Sequence, residues 1–220
     1  FKQKTAYEML RSLVGSEMCI RDRYLQNATP ELETPKNFGE FSSLVHSFIL
    51  IKSRIVCEAA AEKAKELGFN TLFLSSFIEG EAREVAKVHT AIAKEIISTG
   101  NPIPSPACVI SGGETTVTVK GDGLGGRNLE FALASGMEID GLDGVVILSA
   151  GTDGTDGPTD AAGGIVDGTT VKRARELGLD PLRYLERNDS YHFFSQLDDL
   201  VITGPTNTNV MDIRLVLMSL

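Results

Sequence analysis

The sequence is short of the features that mark several large protein classes. No window holds the ~18 uninterrupted apolar residues that a membrane-spanning helix needs; the longest apolar runs, Ser47–Ile51 and Gly144–Ala150, are strand-sized. Basic residues are outnumbered: 21 Lys and Arg stand against 30 Asp and Glu, a net charge of −9. That balance argues against a nucleic-acid partner, whose phosphates are normally met by surplus cations. It still allows a small anion, which backbone N–H groups can bind inside an acidic protein. Cysteines number three, none in a CxxC pair. This argues against a disulfide framework or zinc site and fits a reducing, cytoplasmic compartment. No GKS or GKT supports Walker-type chemistry, and no strand-GxGxxG-helix precedes an acidic residue. His46, His89 and His192 lack metal spacing, and His89 reads as a surface residue on a helix. No local motif suggests a Ser-His-Asp or Cys-His arrangement.

What is present reads as an α/β protein. Apolar content is 42% and charged content 23%, ordinary for a globular chain. His46–Ile51 suits a buried strand. Ser53 is a candidate cap for a helix over Arg54–Leu67, stopped at Gly68. Asn70–Ser75 reads as a strand, and Glu79–Thr99 as a helix with Val85, Val88, Ile92 and Ile96 on one face. This β-α-β-α run predicts a parallel sheet covered by helices. The proline-rich stretch Asn101–Ala107 reads as a domain boundary. Cys108–Ser111 and Thr115–Lys120 read as strands, Asn128–Met137 as a helix and Gly144–Ala150 as a buried strand. Short helices are expected over Thr169–Leu177, Pro181–Arg187 and Ser190–Leu197, with strands at Leu200–Thr203 and Ile213–Met218.

Polar glycine-rich turns follow the strand-like runs, and ligands of open α/β sheets collect at strand carboxyl ends. In GGET, Gly112 and Gly113 expose backbone, and Glu114 suits a metal-bound water or a hydroxyl, or is simply solvated in a tight turn. In GDGLGGRN, Gly125 and Gly126 precede Arg127 and Asn128 where loop becomes helix. There a guanidinium and N-terminal amides suit one anion, unless Arg127 is merely a surface residue. In GTDGTDGPTDAAGG, Gly151, Thr152 and Gly154 accompany Asp153, Asp156 and Asp160. Carboxylates at that density suit Mg²⁺ or polyol hydroxyls, the alternative being an acidic surface loop. GPTNTNV adds Thr206 and Asn209, residues that also bond locally to backbone.

Taken in order, GGETTVTVKGDGLGGRN, LSAGTDGTDGPTDAAGG, NDSYHFF and TGPTNTNV resemble the MOFRL domain of class II glycerate kinases. Upstream, RIVCEAAAEKAKELGFN and EGEAREVAKVH resemble the end of that family's larger, Rossmann-like N-terminal domain. The resemblance implies the C-terminal part of a Rossmann-like parallel-sheet domain over residues 24–103, followed by an α/β MOFRL domain over residues 104–220. It implies transfer of the ATP γ-phosphoryl group to the 2-hydroxyl of D-glycerate, with ATP and Mg²⁺ required. Carried over residue by residue, it makes Arg127 and Asp153 catalytic and assigns metal binding to Asp153 and Asp156. The other turn residues named above, Asp160 excepted, would bind substrate or phosphate, and the family's catalytic lysine would lie upstream of Tyr24. Two positions depart from the family pattern: Leu129 stands where Gln is usual, and Asn207 where Gly is common. If that glycine has positive φ, Asn is the next most tolerant residue.

Two further expectations concern the whole chain. Lys2–Asp22, KQKTAYEMLRSLVGSEMCIRD, resembles the translation of a DNA-sequencing library adapter with an index-sized gap at Met9–Ser12. Residues 1–23 are therefore expected to be non-native, and the chain a fragment, inactive alone. The competing functions are an NAD(P)H-dependent hydroxypyruvate reductase, some relatives having carried that label, and a non-catalytic small-molecule-binding module. Neither a membrane nor a nucleic-acid partner is expected; self-association stays open.

Overall fold

The computed structural model describes Gly39, Ser43, Val45, His46 and residues 48–219. The adapter-like segment lies outside the described residues. The chain divides into two units, residues 1–49 and 50–220, and every named helix and strand lies in the second. In order these are α1 (Ser53–Glu66), β1 (Asn70–Ile78), α2 (Ala82–Thr99), β2 (Ala107–Gly113), α3 (Arg127–Glu138), β3 (Val145–Gly151) and β4 (Gly163–Asp167). Then come α4 (Thr170–Glu176), α5 (Pro181–Glu186), α6 (Ser190–Leu197), β5 (Leu200–Val201) and β6 (Asp212–Met218).

The fold is α/β, built on one six-stranded sheet in the order β1-β2-β6-β3-β4-β5. The expected parallel sheet holds only for the β1–β2 pair, joined by α2. All other pairings are antiparallel, so the sheet is mixed. Strands β1 and β2 flank the proline-rich stretch and pair directly, so a boundary at 103/104 falls between neighbours of one sheet.

Helix α1 covers one face. Its buried residues Ser53, Cys57, Ala61 and Ala64 recur at helical spacing, and the last three pack with Cys108, Ile110, Phe73, Leu215 and Leu217. Gly68, at φ 90°, ends it as expected. Ser53 does not cap the helix: Lys52 holds that position, and Ser53 is buried. Helices α2, α3 and α6 cover the other face through Ala86, Ala93, Ile96, Phe131, Phe193 and Phe194. Truncating one of these phenylalanines to Ala would cost about 3–5 kcal/mol. The buried face of α2 is made of small residues and His89, whereas Val88 is 58% exposed. Close approach of α2 to α3 selects alanine over valine. His89 is therefore buried, against the surface reading, with Nε2 2.8 Å from Ser111 Oγ. Burial lowers its pKa to about 4.

Three further expectations are corrected. Val45, His46 and Phe48–Ile51 form no strand and are exposed. Thr115–Lys120 makes only one bridge, Glu81 with Thr116, because the backbone then turns to Asn188, whose Oδ1 accepts from Lys120 and Gly121 N–H. Conversely β4 emerges from the glycine-rich run, since a Cβ at Gly163 would lie 1.9 Å from the Ser149 carbonyl oxygen. Only glycine permits that approach.

The register of the central strands positions the site. On the α2/α3 face, β2, β6 and β3 align in rows: Ala107–Met218–Val145, then Val109–Val216–Ile147, then Ser111–Arg214–Ser149, then Gly113–Asp212–Gly151. Two apolar rows give way to two polar or glycine rows at one end of the sheet. That end is the carboxyl end of β2 and β3 and the start of β6.

Candidate active site

Arg127 is the first residue of α3, and its guanidinium reaches down to this polar end. Nε donates to Asp212 Oδ2 at 2.8 Å and Nη2 to Asp212 Oδ1 at 2.9 Å. This is a bidentate, charge-assisted pair, the strong kind of ion pair. The Arg127 side chain remains 28% exposed while that of Asp212 is wholly buried. Nη1 lies 3.4 Å from Oε1 of Glu114, which is itself largely exposed. Burial alone would lower the Arg127 pKa. The hydrogen bonds and charge of Asp212, with Glu114 and Asp156, outweigh it and raise the pKa. The guanidinium is a permanent cation with one edge fixed and the other toward solvent.

Asp156 lies beneath the same helix start. Its carboxylate accepts from the backbone N–H of Leu129 at 2.8 Å and of Asn128 at 3.1 Å, and from Asn128 Nδ2. It caps α3 from outside the helix, a favourable place for an anion. Burial pushes its pKa up to about 6 despite those bonds, and the like charge of Asp212 adds to the rise. One sequence expectation changes here. The first amides of α3 are occupied by Asp156 and do not present an anion site. Asp156 is thereby tied to the cap of α3 through three hydrogen bonds.

Asp153, three residues earlier, is partly exposed and faces another turn. Its Oδ1 accepts from the Thr155 N–H and its Oδ2 from Asn209 Nδ2 at 3.1 Å. Thr206 Oγ1 donates to the Thr152 carbonyl at 2.6 Å, and Thr152 Oγ1 to the Met211 carbonyl at 2.6 Å. Thus the turns carrying Thr152, Asp153, Thr206 and Asn209 are laced together. Asn207 does adopt positive φ, 58°. Met211 is also left-handed, at φ 71°, which costs about 1–2 kcal/mol for a residue with Cβ. Its N–H is held by Asn209 Oδ1.

The glycines serve close packing more than ligand approach. A Cβ on Gly112 would meet the Ser53 hydroxyl at 2.5 Å, and one on Gly113 the Ile78 backbone at 2.2 Å. Gly125 abuts Ser190, Gly126 abuts the Asp156 carboxylate, Gly151 the Thr155 carbonyl and Gly154 the Gly204 carbonyl.

A profile of the MOFRL family matches residues 107–212. The chain carries a MOFRL-family domain. A D-glycerate 2-kinase of Thermotoga maritima is 47% identical over 181 residues, 82% of this chain and 42% of the relative. A relative from Agrobacterium vitis bearing a hydroxypyruvate reductase name is 42% identical over 188 residues, 84% of this chain and 42% of that protein. The crystal structure of a glycerate kinase from Thermotoga maritima superposes with a TM-score of 0.79 at 42% identity, covering 91% of this chain and 49% of that one. The chain spans less than half the length of the curated relatives just named.

Within the MOFRL domain, the turns singled out in the sequence lie at one end of the sheet, but the residues that hold them there were missed. Asp212 and Arg214 open a strand that read as apolar. A charge at i and i+2 in a central strand puts both on one buried face, and that spacing was the available signal. Arg214 is fully buried; Nη2 donates to Thr115 Oγ1 and Asp212 Oδ2, and the guanidinium carbon lies 5.2 Å from the Phe131 ring centroid. Burial lowers its pKa, Asp212 opposes that, and Arg127 adds to it. Ser149 donates to Asn128 Oδ1 at 2.6 Å. The NDSYHFF segment is a scaffold: Asp189 Oδ1 accepts from the Leu124 N–H, while Asn188 Nδ2 donates to buried Glu130. Those bonds hold the loop leading to Arg127.

Proposed function

We propose that this chain is part of an ATP-dependent D-glycerate 2-kinase, a cytoplasmic enzyme making 2-phosphoglycerate, and that it contributes one wall of the active site. The observation that carries this reading is Arg127: a permanent cation, one edge clamped by buried Asp212, the other open at the carboxyl ends of β2 and β3. Phosphoryl transfer spreads negative charge over the equatorial oxygens, and catalysis is mainly positioning and electrostatic stabilisation. Arg127 meets that charge. Asp153, half-buried and fixed by Asn209 and Thr155, accepts the hydrogen of the glycerate 2-hydroxyl. Glu114 and the Thr206–Asn209 turn hold the remaining polar groups of glycerate or ATP. The names of the relatives support this substrate pair.

Mg²⁺ belongs to the same reading and would be held largely by the phosphates of ATP. Asp153, partly exposed, would supply a carboxylate beside the phosphates of ATP, as one or two carboxylates do in kinase sites; among the described residues no group of three or more His, Cys, Asp or Glu is disposed to hold a metal ion. No step here is routed through a metal.

The test is substrate conversion by the full-length protein that contains this chain. ATP-dependent formation of 2-phosphoglycerate from D-glycerate is expected, with NADH oxidation by hydroxypyruvate at background. The reverse pattern would replace the kinase with the reductase. The 220-residue chain alone is expected to be inactive; turnover by it would show that one wall suffices.

A further inference from the structure

We infer that Asp212 is the positioning residue that aims Arg127, and that its aim is set by a buried chain running Ser149–Asn128–Asp212. The inference rests on the reading of Arg127 as the phosphoryl-binding cation. Asp212 has no capacity left for another role. Oδ1 accepts from Arg127 Nη2 at 2.9 Å and Asn128 Nδ2 at 3.0 Å; Oδ2 accepts from Arg127 Nε at 2.8 Å and Arg214 Nη2 at 3.2 Å. Each oxygen thus takes two hydrogen bonds, the full complement of a carboxylate. Its side chain is wholly buried. A group so filled neither ligates a metal nor takes a proton from substrate without losing one of these bonds.

The surroundings fix the carboxylate from three sides. Asn128 is oriented by Ser149, whose hydroxyl donates to its Oδ1 at 2.6 Å, so the amide can only present N–H to Asp212. Arg214 backs the carboxylate from within its own strand. It is fully buried, and its Nε and Nη1 find no partner among the described residues. An under-bonded buried cation attracts the Asp212 carboxylate, at a desolvation penalty an apolar residue would avoid. The third constraint is backbone. Met211, immediately before Asp212, is left-handed, and its carbonyl accepts from both Thr152 N–H and Thr152 Oγ1. The turn that carries the candidate substrate residues therefore also sets the angle at which β6 begins.

The consequence is a division of the guanidinium. The Nε–Nη2 edge belongs to Asp212, and Nη1 faces Glu114 and solvent, where a transferred group would sit. A bidentate clamp fixes the plane of Arg127 as well as its distance, and small misplacements of such a group cost about 100-fold in rate.

Two readouts test this in the full-length protein. The first needs no substrate: hydrogen exchange of the Arg127 Nε–H in ¹⁵N-labelled protein. It should be slow in the wild type and at least about 10-fold faster in Asp212→Asn, with amide dispersion retained. The second is kinetic. Asp212→Asn should lower kcat about 100-fold with both KM values within about 3-fold, and should add less than about 2-fold to the loss already made by Arg127→Ala. Unchanged Nε–H exchange, or a full additional loss in the Arg127→Ala background, overturns the proposal. If Arg127→Ala itself keeps full turnover, the kinase reading of Arg127 fails and takes the positioning role with it. Exchange then shows whether the pairing exists without catalytic use. Should Asp212→Asn not fold, Ser149→Ala carries the same measurements with smaller changes, about 3-fold in each; no change in either overturns the chain.

Discussion

Two aspartates three residues apart in one loop do opposite things. Asp156 is buried, accepts from two backbone N–H groups of α3 and has its pKa raised by burial to about 6. Asp153 is partly exposed and bonded only within its own turn and to Asn209. In sequence they are equivalent members of GTDGTD. In the fold, one holds the helix that carries Arg127 and the other stays partly exposed in its turn. Carboxylate density in a glycine-rich loop therefore does not separate the two environments.

The comparison breaks first under truncation. Asp156→Ala strips the cap from α3 and leaves the Asn128 and Leu129 N–H groups buried without their acceptor. It should lower stability by about 3 kcal/mol in urea unfolding. Asp153→Ala should change stability by no more than about 1 kcal/mol while depressing glycerate phosphorylation. Equal destabilisation by the two would end the distinction. Next in size, Gly126→Ala places a Cβ 2.4 Å from Asp156 Cγ and should cost about 2 kcal/mol, acting through the cap.

A smaller effect sharpens the contrast by pH. Burial raises the Asp156 pKa in the folded protein to about 6, above the ordinary carboxylate value of 3.8. A raised folded pKa gives stability that is fully present below the unfolded pKa and is lost as pH rises through the folded one. Acidification from pH 7 to 4 should therefore stabilise the wild type relative to Asp156→Asn, by on the order of 1–3 kcal/mol. A difference that stays flat, or grows toward high pH, contradicts the buried-acid description. The smallest effect belongs to Glu114→Gln. Glu114 is more than half exposed and 3.4 Å from Arg127, so thermal stability should move by less than about 0.5 kcal/mol.

Much of the fold was legible because its signals were local. The end of α1 was read from Gly68, and Asn207 was read from the φ tolerance of asparagine. What was missed depended on partners distant in sequence. Asp212 and Arg214 lay hidden in an apolar strand because their partners are 85 and 99 residues away, at Arg127 and Thr115. β4 was read as turn because its glycines are required by the approach of β3, which propensity cannot see. His46–Ile51 is apolar enough for a strand but has no pairing partner among the described residues. Arg127 itself was legible as a loop-to-helix arginine; the clamp that makes it a fixed donor was not.

The central claim is that Arg127 is the cation on which phosphoryl transfer depends. The most direct measurement is kcat for ATP-dependent D-glycerate phosphorylation by the full-length protein carrying Arg127→Ala, with far-UV circular dichroism and Tm recorded beside it. The account predicts a fall of about 1000-fold or more with the fold retained. Turnover near that of the wild type would contradict it.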